Sequence, residues 1–143
     1  MDRDKIIIYK TKEGLPAIEV AYGDDTVWLT QKQIAEVFGI QVPAVNKHIN
    51  NILRNKELDK STISKMEIVR VEGLRSVKRM IDAYNLDMIL SIGYRVNSVR
   101  ATQFRIWANQ ILKDYLLKGY ALNNKKLQEQ SQQLLELKQA INN

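Results

Sequence analysis

Residues 30–53, TQKQIAEVFGIQVPAVNKHINNIL, constrain the fold of this chain more than any other stretch. Thr30 stands before the first apolar-periodic residues, and its hydroxyl suits the free N–H groups of a helix start. Ile34, Ala35, Val37 and Phe38 then recur at helical spacing. Gly39 ends that helix, because glycine takes a left-handed cap at no steric cost, and Ile40 packs back onto it. Pro43 belongs in the first turn of a second helix, where its missing N–H is harmless. Val45, Ile49, Ile52 and Leu53 give that helix an apolar face. The small Ala35 lets two helices cross closely, Gly39 makes the turn, and Val45 locks the crossing. This is the spacing of a helix-turn-helix.

On that reading the second helix points Gln41, Val42, Asn46, Lys47 and Asn50 away from the core. These residue types suit a DNA major groove. An amide pairs two-fold with the edge of adenine, lysine reaches guanine or phosphate, and Val42 fits a thymine methyl. The competing reading is an ordinary helical hairpin in a core.

The charge leans the same way. The net charge is +6 with a pI near 9.5. Four basic and six acidic residues precede Thr30, so that part carries −2 and the remainder +8. A basic body suits an anionic partner such as nucleic acid, although a basic face is often plain solvated surface. With 143 residues the chain makes one domain, residues 1–122, and an extension, residues 123–143. It holds no cysteine, which excludes disulfides and thiolate metal sites and fits a reducing cytoplasm. The opening MDRDK has no signal-peptide character, and no apolar run approaches membrane-spanning length.

Before Thr30 the pattern is β-rich. Residues 6–9, 17–22 and 26–29 read as a small meander, with turns at 12–14 and at Gly23-Asp24-Asp25. Asp24 and Asp25 also form a carboxylate pair, but turn chemistry explains them better than metal binding or acid–base work. Past a polar connector (54–64), residues 66–71 and 74–81 flank Glu72-Gly73 as a hairpin. A hairpin after a recognition helix is a wing, and Arg70, Arg75, Lys78 and Arg79 would meet phosphates or the minor groove. The bland alternative is a core hairpin with solvated cations.

Residues 86–92 read as a helix stopped by Gly93. Asn97 or Ser98 then caps a longer helix over 99–118, ended by Gly119, with Phe104, Trp107, Ala108, Ile111, Leu112 and Tyr115 as its core stripe. Trp28 and Trp107 read as buried anchors. From 121 onward Gln, Asn, Lys and Leu dominate. Tyr120, Leu127, Leu134 and Ile141 fall seven apart, and Leu137 fits the second seam, which Asn123 and Gln130 occupy earlier. That is coiled-coil character: the stripe pairs with a second copy as a homodimer, the favoured reading, or folds back on its own domain. The pattern stops mid-repeat, as in an N-terminal piece of a longer protein.

Nothing in the sequence supports catalysis, a metal, a cofactor or a small-molecule substrate. His48, the single histidine, lies within the second helix and has no partner ligand. No Gly-rich phosphate loop, serine elbow or HExxH pair is present.

Residues 72–123 carry a family resemblance. The pattern EG-R-V-R (Glu72, Gly73, Arg75, Val77, Arg79), then YNLD (84–87), GYRVNS (93–98), ATQFRIWA (101–108) and KGYALN (118–123) resembles the RhuM family of bacterial virulence-associated proteins. VWLTQKQIAEVFG (27–39) fits as well, so the resemblance covers about 5–123. A looser similarity runs to Bro-N type DNA-binding domains of phage and viral antirepressors, which place a phenylalanine three before a tryptophan, as Phe104 and Trp107 stand here. The resemblance implies DNA binding in a role tied to mobile elements, and no catalytic residue.

The expectation is therefore an α+β protein: a β-meander, a winged helix-turn-helix, a helical subdomain and a C-terminal helix. Its expected partner is double-stranded DNA, in a transcription regulator or mobile-element factor. The alternatives are an interaction module for an acidic protein and RNA binding.

Overall fold

A computed structural model of the protein describes residues 5–10, 17–96 and 98–142, without the side chains of 5, 115, 116, 119–124 and 142. The expected turn at 12–14 and the candidate cap Asn97 lie outside the described residues. By contacts the chain divides into two units, Met1–Ala108 and Asn109–Asn143.

The first unit begins with three strands, β1 (Lys5–Tyr9), β2 (Ile18–Gly23) and β3 (Thr26–Thr30). Gly23 pairs with Thr26 across a two-residue loop. Asp24 and Asp25 fill it at φ 52° and 61°. Two positive φ values in succession are what the twist of a tight hairpin demands, and aspartate tolerates them. Two helices follow, α1 (Gln31–Phe38) and α2 (Val42–Arg54). A short 3-10 turn (Lys60–Thr62) leads to the long strands β4 (Ile63–Glu72) and β5 (Arg75–Asn85). Then come α3 (Leu86–Val96) and α4 (Val99–Asn142).

All five strands form one antiparallel sheet in the order β1-β2-β3-β5-β4. The sequence reading kept the meander and the hairpin apart. They join because β5 runs on to Asn85, which pairs with Trp28 of β3. By register, Tyr9, Ile18, Val20, Val27, Leu29 and Tyr84 share one face, and all are buried. Phe104 meets Tyr9 edge-on at 5.2 Å and Phe38 at 6.5 Å, so the start of α4, β1 and the end of α1 share a core. The opposite sheet face has its own smaller cluster of Ala21, Trp28, Met66 and Ala83, flanked by Ile68. The Trp28 indole N–H donates to the Gly23 carbonyl at 2.9 Å, which satisfies a buried donor. Trp28 is thus buried as expected, whereas Trp107 is only partly buried, its ring tilted at 55° against Tyr9 with centroids 4.9 Å apart.

Two glycines differ from the reading above. Gly93 does not stop α3, which runs to Val96. A Cβ at Gly93 would stand 3.0 Å from the Ala101 Cβ and 3.2 Å from the Phe38 ring, so this glycine permits close helix packing. Gly119 does not end α4 either. A mid-helix glycine costs about 1 kcal/mol relative to alanine, and the Leu, Lys, Gln and Glu around it favour helix enough to offset that. Ser98 does cap α4: its hydroxyl accepts from the Ala101 N–H at 3.2 Å. Asn85 does the same for α3, accepting from the Met88 N–H at 3.2 Å.

Among the described residues, no helix is long and apolar enough to cross a membrane. The second unit, the remainder of α4, leaves Leu127, Leu134, Leu137 and Ile141 exposed.

Candidate nucleic-acid interface

The α1–α2 pair is fixed by local chemistry. Thr30 closes a capping box: its hydroxyl accepts from the Gln33 N–H at 3.2 Å, and the Gln33 side chain accepts from the Thr30 N–H at 2.9 Å. Gly39 is left-handed at φ 69°, and the Ile40 N–H returns to the Ala35 carbonyl at 3.1 Å. A side chain at 39 would run into the Arg100 guanidinium, which lies over this turn. Gln41 caps α2 through its backbone, its carbonyl accepting from Ala44 and Val45 at 3.0 and 3.2 Å. Pro43 stands in the first turn, as expected.

Val45, Ile49 and Ile52 are the buried face of α2, while Leu53 is partly exposed. Pro43, Asn46, Lys47, Asn50 and Arg54 recur at helical spacing away from that buried face, with Asn46 and Lys47 adjacent, and all are exposed. Gln41 and Val42 are exposed at the helix start, with Val42 toward the flank of the buried face. The five sequence-expected α2 residues therefore all reach solvent. Arg54 joins their stripe and was missed, though its spacing from Asn50 places it there.

One contact had no sequence signal. The Gln31 side-chain amide, at the start of α1, donates to the Asn46 side-chain oxygen at 3.4 Å and to the Tyr84 hydroxyl at 3.1 Å. A polar chain thus runs from β5 through α1 to the exposed face of α2. Burial pushes the Tyr84 phenol up, while the Gln31 hydrogen bond opposes this, so the hydroxyl stays protonated. Burial, with Arg95 and Lys47 nearby, holds the His48 imidazole below its ordinary value of 6.5 and leaves it neutral. Among the described residues, no group of three or more His, Cys, Asp or Glu stands ready to hold a metal.

The hairpin separates its cations. The β4–β5 register is unbroken from Ile63↔Tyr84 to Glu72↔Arg75. Alternation puts Arg70, Arg75 and Arg79 on one ribbon face with Glu72. Lys78 lies on the other face with Lys65, Glu67, Val69, Val71 and Met80. Arg79 is held by Glu72 through two contacts of 3.2 and 2.8 Å, and Lys78 lies 3.6 Å from Glu67. Among the described residues, no carboxylate lies within ion-pair distance of Arg70 or Arg75. The four cations read as one group in the sequence thus divide into two free arginines, one pinned arginine and a lysine on the far face. A groove of about 990 Å³ lies between the hairpin and the start of α1, with Gln31, Lys32 and Lys65 among its lining residues.

The family model for the virulence protein RhuM family matches residues 61–139. The chain belongs to the RhuM family. No curated protein and no solved structure matches it. The RhuM segment takes in the hairpin, α3 and most of α4, and it begins after α2. It therefore starts later and ends later than the span of about 5–123 read from the sequence, and the α1–α2 pair lies outside it.

Proposed function

We propose that this RhuM chain is a sequence-specific double-stranded DNA-binding module, a winged helix-turn-helix serving a cytoplasmic transcription regulator or mobile-element factor. The observation that carries the reading is the outward stripe of α2. A polar and basic helix face lies opposite a fully buried one, on the second of two helices joined by a capped glycine turn. The B-DNA major groove admits a helix of this kind. The chain order supports the wing: a strand, two helices and a hairpin follow in sequence, and β3 pairs with the returning strand β5.

The roles follow from exposure and partners. Asn46, Lys47 and Asn50 read base edges, with Gln41 and Val42 at the start of the helix. Arg70 and Arg75 meet phosphates. Lys78 and Arg79, already beside Glu67 and Glu72, contribute less.

The test is retention of labelled random-sequence duplex DNA, single strand and double-stranded RNA at two salt concentrations. Duplex DNA should bind best. Its affinity should fall steeply with salt, with a log–log slope of about −0.9 per phosphate neutralised. No duplex retained at low salt would overturn the reading in favour of a protein-interaction module, and a preference for the RNA would favour an RNA-binding one.

The second unit supports a homodimer. Leu127, Leu134 and Ile141 fall seven apart, and all are exposed along with Leu137. A second copy of the same helix covers such a stripe by coiled-coil packing, which would present two α2 helices to a two-fold site. Light scattering on the full chain should give a dimer at micromolar concentration, and Leu127→Lys with Leu134→Lys should give a monomer. A wild-type monomer at high micromolar concentration would remove the dimer from the proposal.

A further inference from the structure

The outer part of the β4–β5 hairpin carries more apolar surface than it can cover. β3 pairs with β5 only at Ala83–Asn85. Outward of that, among the described residues, β4 and β5 have only each other for strand neighbours. A lone two-stranded ribbon is marginal in water. This one nonetheless leaves Val69, Val71 and Met80 mostly exposed on one face, and Leu74 wholly exposed at its tip. The turn does not explain Leu74. It needs glycine at its first position, where Gly73 stands at φ 64°, and imposes no apolar residue at its second. Polar residues are the usual occupants of such tips.

The setting of Leu74 suggests what covers it. Arg75 follows directly, and Arg70 stands on the same ribbon face as Arg75, both without a carboxylate in range among the described residues. Arg79 is drawn onto Glu72. The ribbon therefore ends in an apolar point beside two arginines that, among the described residues, have no carboxylate within ion-pair distance. The minor groove of duplex DNA answers both features: phosphates line its rims, and an apolar side chain can enter between two base steps.

We infer that Leu74 is a minor-groove wedge, which partly unstacks one base step and kinks the duplex while Arg70 and Arg75 hold the flanking phosphates. This rests on the duplex-binding reading above. It adds a second source of sequence preference, because flexible pyrimidine–purine steps kink most readily. That preference would fall beside the bases met by α2, at a step the wing touches only by deforming it.

The test uses the full chain and a duplex with a donor and an acceptor dye at its two ends. Saturating wild-type protein should raise energy transfer as the ends approach. Leu74→Ser should lose that rise yet bind the duplex with an unchanged salt slope, and Leu74→Phe should keep it. Wild-type binding without a rise, or a full rise with Leu74→Ser, would overturn the wedge and leave the binding reading intact. Failure of the wild type to bind duplex at all would overturn both. A change in the mass of the free chain on Leu74→Ser, seen by light scattering, would also overturn the wedge and make the ribbon a contact between copies.

Discussion

Phe104→Ala should lower the stability of the folded chain by about 3–5 kcal/mol, the usual cost of truncating a fully buried phenylalanine. Phe104 has no solvent exposure. It lies edge-on to Tyr9 at 5.2 Å, tilted against Trp107 at 5.5 Å, and perpendicular to Phe38 at 6.5 Å. Its removal loses apolar transfer energy and leaves a cavity that three rings cannot fill. Domains are stable by only about 5–15 kcal/mol, so the variant should approach its unfolding threshold. Ile106 supplies the control, since it lies on the same helix but is 62% exposed. Ile106→Ala should change stability by no more than about 0.5 kcal/mol. Urea unfolding of both variants decides: equal losses would mean that α4 buries a different face.

The effect should reach α2 as well. Phe38 is the last residue of α1, so the Phe104 cavity opens beside the turn at Gly39. The packing core and the exposed stripe are physically joined there. Any loss of duplex binding by Phe104→Ala must therefore be compared with the fraction still folded.

The sequence was most legible where chemistry is local. Thr30, Gly39 and Pro43 each signal through their own backbone preferences, and each stands where those preferences put it. Asp24 and Asp25 fall in the same class. Gly119 apart, where local helix propensity outweighs the glycine, the misreadings come from contacts between distant parts of the chain. Gly93 resembles a helix stop from its neighbours alone; Phe38 and Ala101 make it a packing glycine. The single sheet depends on Asn85 meeting Trp28, and no periodicity within either segment announces that pairing. The division of the hairpin cations was latent in the sequence. Once the loop is known to hold only Gly73 and Leu74, alternation alone places Lys78 opposite Arg70, Arg75 and Arg79. The link from Gln31 to Asn46 and Tyr84 had no sequence signal, because it needs three elements brought together at once.

On the DNA-binding reading, Asn46→Ala and Arg75→Ala should fail in opposite ways. Asn46 stands on the exposed stripe of α2, with Gln31 donating to its side-chain oxygen at 3.4 Å. A base-edge contact is worth about 1–3 kcal/mol of discrimination at one base pair. Asn46→Ala should therefore relax preference at a single position in duplexes selected from a random pool, and leave the salt slope nearly unchanged. Arg75 has no acidic partner in range among the described residues, so its charge is free to displace a counterion. Arg75→Ala should weaken binding to all sequences alike and reduce the salt slope by about one unit. Arg79 provides an internal comparison. Glu72 already neutralises much of its charge, so Arg79→Ala should change the slope less than Arg75→Ala does. All three side chains are exposed, so thermal melting should be close to wild type in every variant. If Asn46→Ala selects the wild-type site with every preference intact, Asn46 is no reader. If Arg75→Ala leaves the slope untouched, the hairpin does not lie against the phosphates, and the wing falls from the proposal while α2 keeps its place.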